Sequence, residues 1–213
     1  MKLFIDTAKI EEIRDMAQYE IVSGVTTNPT LIARAGAKLE DAIKEISDLI
    51  NGPISAEVAE ADAETMIEQG KQLSKINSNV VIKLPMTLQG IKACKELTNL
   101  GIKTNVTLVF SPSQALLAME ANATYFSPFL GRMDGNGFDC KKMLEDIVAI
   151  KRNYNYQSQI IAASIRSLKH IEIAALAGAD IATIPYAVFK KMVDHPLTAA
   201  GLVTFALDAK KSK

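Results

Sequence analysis

Two periods alternate along the chain. Short apolar runs at 2–6, 24–28, 54–58, 80–85, 103–109, 125–130, 159–164 and 181–185 read as strands. Between them apolar residues recur at helical spacing over 8–20, 39–51, 63–76, 88–100, 113–121, 138–152 and 168–177. Gly101 and Gly178 follow helical runs where a C-cap is expected, and Pro29, Pro112 and Pro196 sit near helix starts. Strict alternation of this kind predicts right-handed βαβ units and a parallel sheet. About eight repeats in 213 residues fit one compact α/β domain over 1–213, a (β/α)8 TIM barrel. The stretch 195–213 reads as an extra C-terminal helical tail with a basic end. A doubly wound open sheet is the alternative, disfavoured because no glycine-rich dinucleotide fingerprint follows the first strand.

Alternate strand residues face opposite sides, which sorts the runs into two sets. Leu3 and Ile5 oppose Phe4 and Asp6, Ala56 and Val58 oppose Ser55 and Glu57, and Val80, Ile82 and Leu84 oppose Val81 and Lys83. Val106 and Leu108 oppose Asn105 and Thr107. Thr26 shares a face with Asn28, Ser127 with Phe129, and Ala162 with Ser164, a parity that Arg166 continues past the strand end. The mostly apolar set suits the helix-facing side, leaving the polar set for the barrel interior near the C-terminal strand ends, where barrel active sites lie. An unpaired charge buried there costs several kcal/mol, roughly, so the convergence of a lysine with two carboxylates needs a reason. Other fates remain open residue by residue. Lys83 can snorkel to water or pair with Glu57 or Asp6; Asn28, Asn105 and Ser127 can satisfy backbone groups.

Charge narrows the function classes. Lys and Arg number 24 and Asp and Glu 24, so no net field draws in nucleic acid or an anionic membrane. Cys94 and Cys140 form no CxxC pair and read as reduced thiols, in keeping with a reducing compartment. The opening Met-Lys-Leu-Phe-Ile-Asp is unlike a signal peptide, and no apolar stretch approaches the ~18 residues of a membrane span. A cytoplasmic location is expected. The histidines, His170 and His195, fall in helical or tail segments, so neither a His-based triad nor a zinc site is expected, and no P-loop occurs.

Lys83, set among apolar strand residues, is expected to have its charged form disfavoured by desolvation. A neutral amine attacks a ketone and loses water to give an imine. Glu57 with Thr107 can hold a water that carries the protons of that step, and Asp6 can exchange a proton with a sugar hydroxyl. Arg132, in the glycine-bearing loop 131–137, and Arg166 are suited to bidentate phosphate binding; surface ion pairs are their other reading.

The segments Gly-Val-Thr-Thr-Asn-Pro-Thr-Leu (24–31), Val-Ile-Lys-Leu-Pro-Met-Thr (81–87), Lys-Thr-Asn-Val-Thr-Leu (103–108), Ser-Pro-Phe-Leu-Gly-Arg (127–132) and Ala-Ala-Ser-Ile-Arg (162–166) together resemble the transaldolase family. The likeness is to its short bacterial branch, which includes fructose-6-phosphate aldolase, and it reaches His195-Pro196-Leu197-Thr198 in the tail. It implies Lys83 as a Schiff-base lysine, Asp6 as acid/base at the substrate C4 hydroxyl, and Glu57 with Thr107 on the catalytic water. Asn28 and Asn105, helped by Ser127 and Ser164, would bind the dihydroxyacetone moiety beside Thr26 and Phe129, with Arg132 and Arg166 on the phosphate. It implies sugar-phosphate substrates, no metal or organic cofactor, and a ring-based homo-oligomer, often a decamer, with the C-terminal helix between subunits. The aldolases of this branch carry Gln in place of Glu57 and Tyr in place of Phe129, so Glu57, Phe129 and Asn105 imply transfer of the three-carbon unit rather than its release.

Overall fold

Eight parallel strands close into a barrel in sequence order, the last pairing with the first. A computed structural model describes residues 1–59 and 61–211. The chain begins with β1 (Lys2–Asp6), α1 (Ile10–Ala17), β2 (Val25–Thr26), α2 (Pro29–Ala35), α3 (Leu39–Leu49), β3 (Ile54–Glu57) and α4 (Ala63–Ser74). It continues through β4 (Val80–Pro85), α5 (Leu88–Asn99), β5 (Thr104–Val109), α6 (Pro112–Glu120), β6 (Tyr125–Pro128), α7 (Leu130–Asp134) and α8 (Cys140–Asn153). It closes with β7 (Gln159–Ala162), α9 (Leu168–Ala177), β8 (Ile181–Ile184), α10 (Tyr186–Lys190) and α11 (Pro196–Lys211). The tail prediction therefore holds to Lys211; Ser212 and Lys213 lie outside the described residues.

Local chemistry sets the element boundaries. Five helices begin at a residue whose side chain caps them. Asn28 accepts from Leu31 N, Asp62 from Thr65 N, Thr87 from Gly90 N, Ser111 from Gln114 N and Asp139 from Lys142 N. Each cap satisfies an amide that the first helical turn leaves free, an effect worth about 1 kcal/mol. The short helices α2, α7 and α10 are additions to the sequence reading, because five to seven residues show no helical period. In particular, Leu130 and the loop after it form α7 rather than a strand end and a free loop.

Two apolar layers hold the barrel. One lies between sheet and helices and includes Ile5, Val25, Ile54, Ile82, Val106, Phe126, Ile160 and Ile184. The other is a plug of Phe4, Val81, Tyr125, Ile161 and Ile181, which face inward from five strands. The plug fills the lower interior as a packed core, so the polar residues sit above it at the C-terminal strand ends.

Two parity assignments change. In β5 the ladder with β6 shifts register between Val106 and Val109, and Leu108 takes a left-handed φ of 62°. Val109, not Leu108, joins Val106 in the helix-facing layer, because the bulge inserts a residue. In β7, Ala162 belongs to the helix-facing layer while Ile161 faces inward. Ser164 therefore reaches the interior by its φ of 56° and not by strand alternation. A left-handed φ at Leu108 and at Ser164 stores strain of about 1–3 kcal/mol at each position.

Candidate active site

The strand register brings the charged residues together. Glu57 is paired with Lys83, Lys83 with Asn105, and Asp6 with Thr26 along neighbouring strands. Above the plug Asp6, Thr26 and Lys83 line a polar cavity of about 150 Å³ with Asn28, Ser127, Phe129, Arg132, Ala163, Ser164 and Thr183, whereas Glu57, Asn105 and Thr107 do not line it. A larger cavity of about 640 Å³ lies between α2, α3 and α4, with Asn28 and Glu57 at its edge. Its lining is mainly apolar, including Ile32, Leu39, Leu73 and Ile76, so the polar convergence singles out the smaller one.

Lys83 is 5% exposed. Its Nζ lies 2.9 Å from Glu57 Oε2 and donates to Thr27 O at 3.1 Å. Of the fates left open by the sequence, the structure takes the pairing with Glu57, and two acceptors hold the amine. Register explains this: Glu57 and Lys83 are direct neighbours on adjacent strands and share the inward face. The pair gives the amine a base to which it can pass its proton.

Asp6 faces the same cavity with different surroundings. Burial pushes its pKa above the ordinary carboxylate value and Glu57 adds to that, against the hydrogen bond from Thr26 and the charge of Lys83. Thr26 Oγ1 donates to Asp6 Oδ1 at 2.7 Å, so Thr183 Oγ1, 2.6 Å from Thr26, is left to donate to Thr26. Two carboxylates in one site with different environments are suited to different proton-transfer tasks.

Below the lysine a relay fixes the amide of Asn105. Ser127 Oγ donates to Asn105 Oδ1 at 2.8 Å, and Asn105 Nδ2 donates to Ser55 Oγ at 3.2 Å. Asn28 borders both cavities and accepts from Leu31 N through its side-chain carbonyl as a helix cap. Arg132 stacks its guanidinium over Phe129 at 5.1 Å and Phe110 at 5.7 Å from the ring centroids, and the two rings meet edge to face. Arg166 is exposed and does not line the cavity with Lys83. Its side chain lies along α7, where a Cβ on Gly131 would meet Arg166 Cγ at 2.8 Å and one on Gly135 would meet its Nη1 at 2.9 Å.

Thr107 is 1% exposed, and its Oγ1 is the one buried side-chain oxygen or nitrogen among the described residues without a hydrogen-bond partner. Leaving such an atom unpaired costs about 1–3 kcal/mol. Thr107→Val should therefore raise stability by about 1 kcal/mol in thermal or urea unfolding while lowering turnover. A loss of stability would show that the hydroxyl is structural.

Sequence reasoning did not single out Thr183 or Ser55 for the site, and it gave no role to the Thr27 carbonyl. Thr183 lies two residues from inward-facing Ile181, so parity could have found it. The Thr27 carbonyl carries no side-chain signal. Both cysteines are unpaired, and no described helix is long and apolar enough to cross a membrane.

Fold and mouth together define a (β/α)8 barrel with a buried lysine–carboxylate site at the C-terminal strand ends. The chain belongs to the transaldolase/fructose-6-phosphate aldolase family, whose model matches residues 3–212. Among curated proteins it is 55% identical over 208 residues to a probable transaldolase of Geobacter sulfurreducens, covering 98% of this chain and 97% of that one. It is 54% identical over 210 residues to a probable transaldolase of Clostridium tetani, covering 99% and 98%. Among solved structures a mandelate oxidase mutant shares the fold alone, at a TM-score of 0.61 and 12% identity over 87% of this chain and 64% of that chain.

Proposed function

We propose that this chain is a transaldolase. It transfers a dihydroxyacetone unit from sedoheptulose 7-phosphate or fructose 6-phosphate to an aldose phosphate such as glyceraldehyde 3-phosphate, in the non-oxidative pentose phosphate pathway. The observation that carries the reading is Lys83 held 2.9 Å from Glu57 in a cavity that Asp6 also lines.

Lys83 passes a proton to Glu57 and attacks the ketose C2 carbonyl. Loss of water, protonated by way of Glu57 with Thr107, gives the iminium. Asp6 takes the proton of the C4 hydroxyl, the C3–C4 bond breaks, and its electron pair flows into the iminium to leave an enamine. The aldose phosphate departs. An acceptor aldehyde then takes the enamine carbon as Asp6 returns the proton, and water releases the new ketose. The amides of Asn28 and Asn105 with Ser127 and Ser164 orient the three-carbon unit, and Arg132 and Arg166 bind the phosphate.

The assay that tests this follows donor turnover with and without acceptor. Conversion should require the acceptor. Repeated turnover of fructose 6-phosphate alone, with free dihydroxyacetone accumulating, would favour aldol cleavage. Phosphate-ester binding with neither activity would favour a non-catalytic phosphosugar-binding protein. Phe129 has no hydroxyl to order a water beside the enamine, which protects the intermediate until the acceptor arrives. Phe129→Tyr should raise acceptor-independent release by about tenfold, as one well-placed hydrogen bond to the protonating water allows. An unchanged release rate would remove Phe129 from that role.

Assembly belongs to the same proposal. Helix α11 buries none of its described residues and exposes Leu197, Leu202, Val203, Phe205 and Leu207. Apolar area of this extent on one projecting helix favours a covering partner, for which we take further copies of this chain in a ring, a decamer in the family's usual form. Removing residues 196–213 should lower the mass measured by light scattering to that of a smaller species; an unchanged mass excludes the helix from assembly.

A further inference from the structure

We infer that His170 is a positioning residue for the phosphate clamp, coupling the backbone of Arg166 to the helix that carries Arg132. The inference rests on the reading of those two arginines as phosphate ligands. His170 is 3% exposed and stands in the first turn of α9. The preceding cap residue, Ser167, makes no side-chain cap hydrogen bond. Instead the imidazole reaches backwards, and its Nδ1 accepts from the Arg166 backbone N–H at 3.2 Å. The residue at the third helical position thus ties down an amide just before the helix, as the acidic member of a capping box does.

The other ring nitrogen completes the link. With Nδ1 accepting, Nε2 carries the proton and donates to Asp134 Oδ2 at 3.2 Å, at the end of α7. The start of α7 is stitched to the same loop, since Leu130 N donates to Ala163 O and Gly131 N to Ser164 O. Arg166 lies against Gly131 and Gly135, so α7 is held to the loop at its start, along its side and at its end. A shift of the His170 ring would move the Arg166 backbone and α7 relative to each other, and with them the spacing of the two guanidinium groups.

A competing use of the same residues is a metal site, because Asp134, Cys140 and His170 bring ligand atoms within 4.8 Å of one another. The chemistry disfavours it. Nε2 must be unprotonated to bind a cation, yet the Arg166 amide claims Nδ1 as acceptor and so puts the proton on Nε2. Burial, together with Asp134 and Asp139, also pushes the Cys140 thiol up, away from the thiolate that a metal needs.

The test separates phosphate recognition from carbonyl chemistry. KM for fructose 6-phosphate in the transfer reaction and inhibition by inorganic phosphate report on the clamp. Borohydride trapping of dihydroxyacetone, which carries no phosphate, reports on Lys83. His170→Leu should raise the KM about tenfold and weaken phosphate inhibition to the same degree, while the adduct forms as in wild type. His170→Asn, whose Oδ1 stands about where Nδ1 does, should recover most of the loss. Equal losses in all three measurements, or none, would overturn the inference. If His170→Leu does not fold, Asp134→Ala at the exposed end of the link decides: a phosphate-selective loss of about threefold supports the inference, and its absence overturns it. A wild-type enzyme indifferent to phosphate would sink the clamp reading and the inference together, whereas an inhibited wild type beside an unaffected His170→Leu sinks the inference alone.

Discussion

Lys83→Met should leave no detectable transfer and no borohydride-trapped adduct, a fall of at least about 10⁴-fold in turnover. Met keeps an unbranched apolar stem of nearly the same length and lacks the amine, so loss of the covalent path is separated from loss of packing. A second effect should accompany it. Glu57 loses its 2.9 Å partner in a site where the lysine is 7% and the glutamate 17% exposed by side chain. Removing one member of such a pair costs about 3–5 kcal/mol, and a domain of this size should melt roughly 6–20 °C lower. Adding Glu57→Gln to Lys83→Met should recover much of that loss without restoring activity. Substantial transfer by Lys83→Met would falsify the Schiff-base mechanism outright.

Asp6→Asn should separate activity from stability in the opposite sense. Asn cannot take the C4 hydroxyl proton, and loss of a general base typically lowers turnover about 10²–10⁴-fold. Imine formation does not use Asp6, so borohydride should now trap the uncleaved ketose on Lys83 instead of the three-carbon fragment. Stability should rise at neutral pH. A carboxyl whose folded-state pKa is raised destabilises the fold once the unfolded chain ionises. The penalty is absent below the ordinary aspartate value of 3.8, grows as pH climbs to the raised value, and is complete above it. Asn removes the penalty and, as an acceptor for Thr26, keeps the 2.7 Å hydrogen bond. The melting temperature of Asp6→Asn should exceed that of wild type at pH 7, and the gap should close below pH 4. A variant that is less stable at pH 7 would mean that the attraction of Lys83 outweighs burial.

Much of this was legible in the order of residues. The alternation of periods predicts all eight strands, and β1 and β4 fall on the predicted bounds. The inward parity of Asp6, Glu57, Lys83 and Asn105 follows from the same rule, since a strand side chain has only two faces to choose from. Where the backbone leaves the regular ladder, the rule fails. Leu108 and Ser164 adopt left-handed φ, and the residues after them take directions that no two-residue period encodes.

What only the closed barrel decides is who meets whom. Register sets Glu57 beside Lys83, choosing the ion pair among the fates that the sequence leaves open for the lysine. Likewise, nothing in the spacing of 134, 166 and 170 shows that one imidazole spans the two arginine-bearing segments. Local sequence fixes backbone period and side-chain face because those depend on neighbours one to four residues away. Distances across the barrel depend on strand stagger and helix docking, which are settled only when the apolar layers pack together.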